Sequence, residues 1–95
     1  MKYLHKFSAC WCQPCRMLSN ALREVDLESL GITVAEYDVD LMDRSELQRL
    51  GVRGVPTLIL MDSDGVELSR KTGALLPKEI IHWLGEQDAR LPLVC

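Results

Sequence analysis

The chain has 95 residues and a formal net charge of −3. This length predicts one small domain over residues 1–95, with residues 91–95 as a flexible tail. Hydrophobic residues make up 47% of the sequence and charged residues 26%, which excludes an intrinsically disordered chain. The acidity and the lack of a basic patch argue against a nucleic-acid partner. No apolar run approaches the roughly 20 residues that span a bilayer, so we expect no membrane partner and a cytoplasmic location.

The first half of the sequence predicts two strands separated by a long helix. Residues 3–8 alternate between the two faces of a short strand, with Lys6 on the same face as Leu4. Residues 14–30 carry apolar side chains at helical spacing, and Gly31 is placed to end that helix. Residues 32–39 are apolar and β-branched, which predicts the second strand.

The next segment predicts a short helix and a hairpin. Asp43 is a candidate cap for the helix, which we expect to end at Gly51. Strands are predicted at residues 57–61 and 66–71, and the turn sequence between them, residues 62–65, is typical of a hairpin.

Pro77 suits the first turn of a last helix. The apolar positions of that helix are Ile80, Ile81, Trp83 and Leu84. The resulting order β-α-β-α-β-β-α predicts an α/β fold. It contains a parallel pair of strands, then an antiparallel hairpin, with helices packed against the sheet.

Cys12 and Cys15 form a Cys-x-x-Cys pair where the first strand meets the first helix. The unpaired amides and the dipole of a helix N-terminus favour a thiolate at Cys12. Cys15 lies one turn further into the helix and is the candidate resolving thiol, which attacks a mixed disulfide on Cys12. Pro14 restricts the loop and starts the helix. In a cytosolic protein, this spacing beside a βαβ pattern indicates a redox site.

Two other interpretations of the cysteines stay open. A structural zinc site usually needs four Cys or His ligands. His82 and Cys95 are isolated in the sequence, so we expect no metal. Buried, inert cysteine is the other interpretation, and we prefer it for Cys10, which would pack or be partly exposed and could be oxidised or glutathionylated in a side reaction. We expect Cys95 to be an inert thiol in the tail.

Three motifs, in the right order and covering nearly the whole chain, resemble those of the thioredoxin family. They are the active-site motif at residues 11–16, the cis-proline loop at residues 52–57 and the glycine-containing segment at residues 71–75. The resemblance implies the thioredoxin fold and disulfide exchange with no bound cofactor. It also implies a peptide-binding surface, to which we assign Trp11, Gln13, Pro14, Val55, Pro56 and Gly73.

The resemblance gives these residues expected roles. Pro56 would be cis and face the cysteine pair, turning the backbone of Val55 outward to bind an extended substrate. Trp11 would shield the disulfide, and Gly73 would allow close approach of a substrate backbone. The alternatives are a trans Pro56 that opens an edge strand, a Trp11 that only packs and a Gly73 that only turns the chain.

The sequence departs from the family pattern at its start, where the usual first strand and helix are missing. We therefore expect a four-stranded mixed sheet in the order 2-1-3-4, flanked by three helices, with the edge of the second strand exposed. Gln13 stands where the family usually has glycine, which would shift the redox potential or the substrate preference. Ser8 replaces a common tryptophan.

A second departure concerns a pair of charges. The family usually buries an aspartate paired with a lysine, and the corresponding residues here are Lys6 and Glu36, with the signs exchanged. We expect both on the helix-covered side of adjacent strands, paired because an unpaired buried charge is costly. The alternative is that both reach solvent. Our hypothesis is that Glu36 transfers a proton for Cys15, while Lys6 orients Glu36 and favours thiolates.

Together these features predict a monomeric dithiol–disulfide oxidoreductase that reduces protein disulfides. A flavin- and NADPH-dependent donor similar to thioredoxin reductase would recharge the Cys12–Cys15 disulfide. Two alternatives remain open. A glutaredoxin-like enzyme would use glutathione, although residues 73–76 show no signature for its carboxylate. A thioredoxin-like accessory binding subunit would not need its cysteines.

Overall fold

The computed structural model describes residues 1–86. The predicted tail at residues 91–95 and Cys95 lie outside the described residues. Four strands and three α-helices occur in the described part of the chain. Their bounds are β1 (Lys2–Ser8), α1 (Gln13–Arg23), β2 (Ile32–Asp38), α2 (Arg44–Leu50), β3 (Thr57–Met61), β4 (Glu67–Thr72) and α3 (Pro77–Glu86).

The four strands form one mixed sheet in the order β2-β1-β3-β4, which confirms the predicted topology. β1 is parallel to β2 and antiparallel to β3, and β3 forms a hairpin with β4. β1 is therefore a central strand whose end, Ser8, leads directly into the cysteine segment. Its register with β2 places Lys6 opposite Glu36.

The two faces of the sheet are packed by different helices. On one face, Leu4 and Leu58 pack with Leu18 of α1 and Ile80 of α3 in the larger hydrophobic core. On the other face, Phe7 of β1 belongs to a smaller cluster that includes two leucines of α2. Successive side chains of β1 therefore pack into the clusters on opposite faces of the sheet. This packing holds β1, which leads into the cysteine segment, between two layers of helices.

The first helix is shorter than predicted, because α1 ends at Arg23 and turns follow it. Within these turns, Ser29 donates its amide to the Asp26 carboxylate at 3.2 Å and its hydroxyl to the Asp26 carbonyl at 3.0 Å. Such local hydrogen bonds compete with a helix. Val25 still enters the larger core, which explains why the apolar spacing favoured a longer helix.

Smaller differences have local causes. β2 ends at Asp38, and Val39 begins a 3₁₀ turn, because the Asp38 carboxylate accepts a hydrogen bond from the Asp40 amide at 2.9 Å. Asp43 does precede α2, but its side chain makes no capping hydrogen bond. Ile81 was expected to be a packed position of α3 and is instead exposed. β4 begins and ends one residue later than predicted.

Candidate active site

Cys12 and Cys15 are joined by a disulfide at the N-terminus of α1, with their Cα atoms 5.2 Å apart. Cys12 is the residue that caps the helix, and its Sγ accepts a hydrogen bond from the Cys15 amide at 3.2 Å. Pro14 lies in the first helical turn. The two cysteines are only 4% and 3% exposed. This geometry directs the helix amides and dipole at Cys12 Sγ, so negative charge on that sulfur is stabilised when the disulfide opens.

The loop before β3 lies beside the disulfide. Its Val55–Pro56 peptide bond is cis, as the resemblance predicted, and Val55 packs against the cluster that contains both cysteines. The amide of Gly73 donates to the carbonyl of Pro56 at 3.0 Å. The structure therefore brings all three motifs of the sequence together at one end of the sheet.

Gly73 has a φ of +85°, and a Cβ added there would meet open space. The backbone conformation accounts for glycine at this position, because other residues rarely adopt it. The open space above Gly73 also leaves room for another chain to approach.

A groove of about 230 Å³ runs between the active-site segment and the loop before β3. Trp11 forms one wall, and residues 52–55 form the opposite wall. The exposed ring of Trp11 is held in place because its Nε1 donates to Asp40 Oδ2 at 2.9 Å. Gln13, the first residue of α1, is exposed and does not line this groove.

Lys6 and Glu36 form the expected ion pair, with Nζ and Oε1 2.9 Å apart. Their burial is unequal, because the Lys6 side chain is 4% exposed and the Glu36 side chain is 63% exposed. The expectation that both charges are buried is therefore wrong for Glu36. Glu36 belongs to β2, the edge strand of the described sheet, so its carboxylate can reach water while still contacting Lys6.

Glu36 is ionised at neutral pH. The hydrogen bond from Lys6 holds the pKa of Glu36 below its ordinary value against the opposing effect of partial burial. The positive charge of Lys6 and a weaker hydrogen bond from Ser8, at 3.4 Å, act in the same direction. The carboxylate is therefore free to accept a proton, and its lowered pKa makes it a weaker base than an ordinary glutamate.

A hydroxyl links the buried lysine to the resolving cysteine. Lys6 Nζ donates to Ser19 Oγ, and this hydroxyl donates to the carbonyl of Cys15 at 3.1 Å. Ser19 was not among the site residues predicted from the sequence. Its position could have indicated this contact, because a serine four residues after Cys15 on the same helix can donate its hydroxyl to the Cys15 carbonyl.

These groups share a cavity of about 520 Å³. Cys15, Lys6, Ser19 and Glu36 line it, together with Ser8 and Cys10. The structure therefore places the two charged residues predicted from the sequence in the same cavity as Cys15.

Cys10 is a free, exposed cysteine. Its carbonyl accepts a hydrogen bond from the Arg16 guanidinium at 3.1 Å, which links the segment before the disulfide to α1. The interpretation of Cys10 as a buried cysteine is therefore wrong, because the residue lies in the turn after β1 and its side chain is exposed.

Within residues 1–86, no group of three or more His, Cys, Asp and Glu side chains is placed to hold a metal ion. None of the helices in that part of the chain has the length and apolarity needed to cross a membrane.

Comparison with known families settles the relationship that these features suggest. The thioredoxin family model matches residues 1–86. The chain belongs to the thioredoxin family. It is similar to thioredoxin of Rhodospirillum rubrum, with 38% identity over 80 residues that cover 82% of this chain and 74% of that protein. It is also similar to thioredoxin of Chlamydia muridarum, with 39% identity over 67 residues that cover 70% of this chain and 64% of that protein.

A solved thioredoxin fold matches as well. It is thioredoxin-2, a component of the protein secretion machinery of a malaria parasite, with a TM-score of 0.77 and 25% identity. The match covers 90% of this chain and 82% of that one. With the Cys12–Cys15 disulfide at the family's active-site position, this thioredoxin-family chain is a thiol–disulfide oxidoreductase. Thioredoxins in general act on protein disulfides, are reduced by thioredoxin reductase and carry no prosthetic cofactor.

Proposed function

We propose that this thioredoxin-family chain reduces protein disulfides, with Cys12 as the attacking thiol and Cys15 as the resolving thiol. The observation that carries the proposal is the Cys12–Cys15 disulfide at the N-terminus of α1, beside the groove between Trp11 and Val55. The helix terminus stabilises a thiolate on Cys12. The groove offers a substrate chain a surface that begins at Trp11, the residue before Cys12.

The reaction proceeds by two sulfur substitutions. In the reduced protein, the Cys12 thiolate attacks one sulfur of a substrate disulfide, and the other substrate sulfur leaves as a thiolate and takes up a proton. Cys15 then loses its proton and attacks Cys12 Sγ. The Cys12–Cys15 disulfide forms, and the second substrate thiolate leaves. The substrate gains two electrons from the cysteine pair and two protons, one matched by the proton that Cys15 loses and one taken from solvent.

The substrate binds as an extended segment across the end of the sheet. We assign its contacts to the exposed Trp11 ring and Gln13 on one side, and to Val55, Pro56 and Gly73 on the other. The apolar groove walls and the open space above Gly73 support this assignment. Main-chain hydrogen bonds to Val55 would add the segment to the fold in the manner of an extra strand, and Pro14 keeps the cysteine loop in its position.

Glu36 accepts the proton of Cys15 in the resolving step. Its carboxylate is ionised and lines the same cavity as Cys15, a cavity wide enough for water to carry the proton between them. Lys6 orients Glu36 through the 2.9 Å ion pair and favours the Cys15 thiolate with its positive charge.

The oxidised pair must be reduced again for a further cycle. We propose that NADPH supplies the two electrons through a thioredoxin reductase-like flavoenzyme, and that the chain works as a monomer in the cytoplasm. A reducing compartment suits this direction of exchange, because cytosolic thiol systems keep such pairs reduced.

The test is insulin disulfide reduction coupled to thioredoxin reductase and followed by NADPH consumption. The wild-type chain should support NADPH consumption, and Cys12→Ser should abolish it. Cys95→Ser is the matched control and should retain the wild-type rate. Full activity in Cys12→Ser would contradict the mechanism. Reduction by dithiothreitol without coupling to the reductase would contradict only the proposed donor.

A further inference from the structure

A third cysteine lies close to the reacting sulfurs and has no role in the mechanism above. Cys10 precedes Cys12 by two residues, in a turn that the Cys12 amide closes by donating to the Ala9 carbonyl at 3.2 Å. Residues two apart have Cα atoms at most about 7 Å apart, and a turn shortens that span. Disulfides join Cα atoms roughly 4.4–6.8 Å apart, so the chain connectivity is compatible with the Cα separation that a Cys10–Cys12 disulfide needs.

Cys10 and Cys15 differ in their exposure to solvent. Cys15 is buried inside the first turn of α1, whereas Cys10 is exposed and lines the same cavity as Cys15. The Arg16 guanidinium fixes the Cys10 carbonyl at 3.1 Å and so holds the turn against the helix. Cys10 is therefore the solvent-exposed thiol of the turn that leads into Cys12.

We infer that Cys10 is a second resolving thiol for a substrate held in a mixed disulfide on Cys12. The inference rests on the proposed function, because it needs that mixed disulfide as its reactant. Cys10 gives its proton to water and attacks Cys12 Sγ. The Cys10–Cys12 bond forms, the bond between Cys12 and the substrate breaks, and the substrate sulfur leaves with the electron pair and takes up a proton.

This exchange needs no added oxidant or reductant, because one disulfide replaces another. In the wild-type chain, the Cys15 thiolate then attacks Cys12 Sγ and releases Cys10 as a thiolate that takes up a proton. The products are a Cys12–Cys15 disulfide and a free Cys10, which is the arrangement present in the structure.

The test removes Cys15 and compares chains with and without Cys10. Both chains carry Cys15→Ala, because a buried hydroxyl would need a partner, and Cys95→Ser, which removes the remaining thiol. One of them also carries Cys10→Ser. Each reduced chain is mixed with insulin, and the covalent complex is followed on non-reducing gels at several protein concentrations.

We expect the complex of the chain that retains Cys10 to decay at least about tenfold faster, because the attacking thiol is held beside Cys12. The decay rate should be independent of protein concentration. Trypsin cuts after Lys6 and Arg16, so the peptide of residues 7–16 should be lighter by two hydrogen atoms, as a Cys10–Cys12 disulfide requires.

Equal persistence of the two complexes, or an unchanged mass of that peptide, would overturn the role of Cys10. Insulin reduction by the wild-type chain and its loss in Cys12→Ser are measured in parallel. If the wild-type chain forms no complex and reduces nothing, the proposed function has failed. If the wild-type chain is active and Cys10 makes no difference, only this inference has failed.

Discussion

Lys6 Nζ lies 2.9 Å from Glu36 Oε1, yet the lysine is buried and the glutamate is largely exposed. This asymmetry makes Glu36 the group that stabilises an interior charge from the surface. Ser19 Oγ also accepts a hydrogen bond from Lys6, but a hydroxyl carries no compensating charge. Removing the carboxylate would leave the ammonium buried with only neutral oxygen partners among its described contacts.

We therefore expect Glu36→Gln to lower the free energy of unfolding by about 1–3 kcal/mol, as for a buried donor that loses a charged acceptor. Lys6→Met should restore part of that loss when combined with Glu36→Gln, because the apolar side chain needs no partner. Urea unfolding of the two single variants and the double variant measures both effects. Equal stability of wild type and Glu36→Gln would show that Ser19 alone satisfies the lysine.

The same pair predicts how stability depends on pH. The pKa of Glu36 is lowered in the folded state, chiefly by the hydrogen bond from Lys6. In the acid range the unfolded chain therefore binds more protons at this residue. The contribution of Glu36 to the free energy of unfolding is fully present above the pKa of Glu36 in the unfolded chain. It is lost as the pH falls through the lower pKa of Glu36 in the folded protein.

Urea unfolding between about pH 3 and pH 6 should accordingly show a smaller rise of stability with pH in Glu36→Gln than in wild type. Glu67, whose pKa is lowered mainly by its hydrogen bond from Arg70, contributes in the same direction. Glu67→Gln should therefore also reduce the pH dependence, and it provides the comparison for a paired carboxylate away from the cysteines. A parallel pH dependence in Glu36→Gln and wild type would contradict the assigned effect of Lys6.

Glu36 should also affect the rate of disulfide reduction. If it accepts the Cys15 proton, Glu36→Gln should slow insulin reduction about tenfold, a modest share of what a positioned base contributes. Its pH–rate profile should change as well, and Glu36→Asp should recover part of the rate. Glu67→Gln serves as the control. An unchanged rate and pH profile in Glu36→Gln would mean that Glu36 has no part in proton transfer.

The position of the cysteine pair was predictable because its signal is local, and the strand order followed from the resemblance to the thioredoxin family. Apolar periodicity placed most elements, and the three-residue spacing placed Cys12 and Cys15 on one helical turn. The end of α1 was not predictable in this way. Val25 lies in a turn after the helix, yet it packs into the core and continues the apolar spacing of a helix. Burial alone does not distinguish the two conformations.

The partners of the site were harder to predict because they are distant in the chain. Ser19 is 13 residues from Lys6, and Asp40 is 29 residues from Trp11. Each contact depends on how the elements pack. The exposure of Glu36 follows from the edge position of β2, which the predicted strand order already implied. We nevertheless expected Lys6 and Glu36 to be equally buried, because we considered only the cost of burying an unpaired charge.

Gly73 offers a test of why the sequence has glycine beside the cysteine pair. Its φ is +85°, and a Cβ would meet nothing within 4 Å. Gly73→Ala should therefore lower the free energy of unfolding by about 1–2 kcal/mol through backbone conformation alone. Gly54→Ala is the matched control, because Gly54 also has open space around an added Cβ and has no positive φ.

Urea unfolding of both variants measures the difference. We expect Gly54→Ala to be near neutral, because it brings neither a steric contact nor a left-handed backbone. A stability loss of equal size in both variants would mean that crowding or unfolded-state entropy, and not the φ of Gly73, sets the effect. The Gly73 amide donates to the Pro56 carbonyl at 3.0 Å. A stability loss seen only in Gly73→Ala would therefore show that the positive φ of Gly73 is needed where the chain contacts the loop that faces the disulfide.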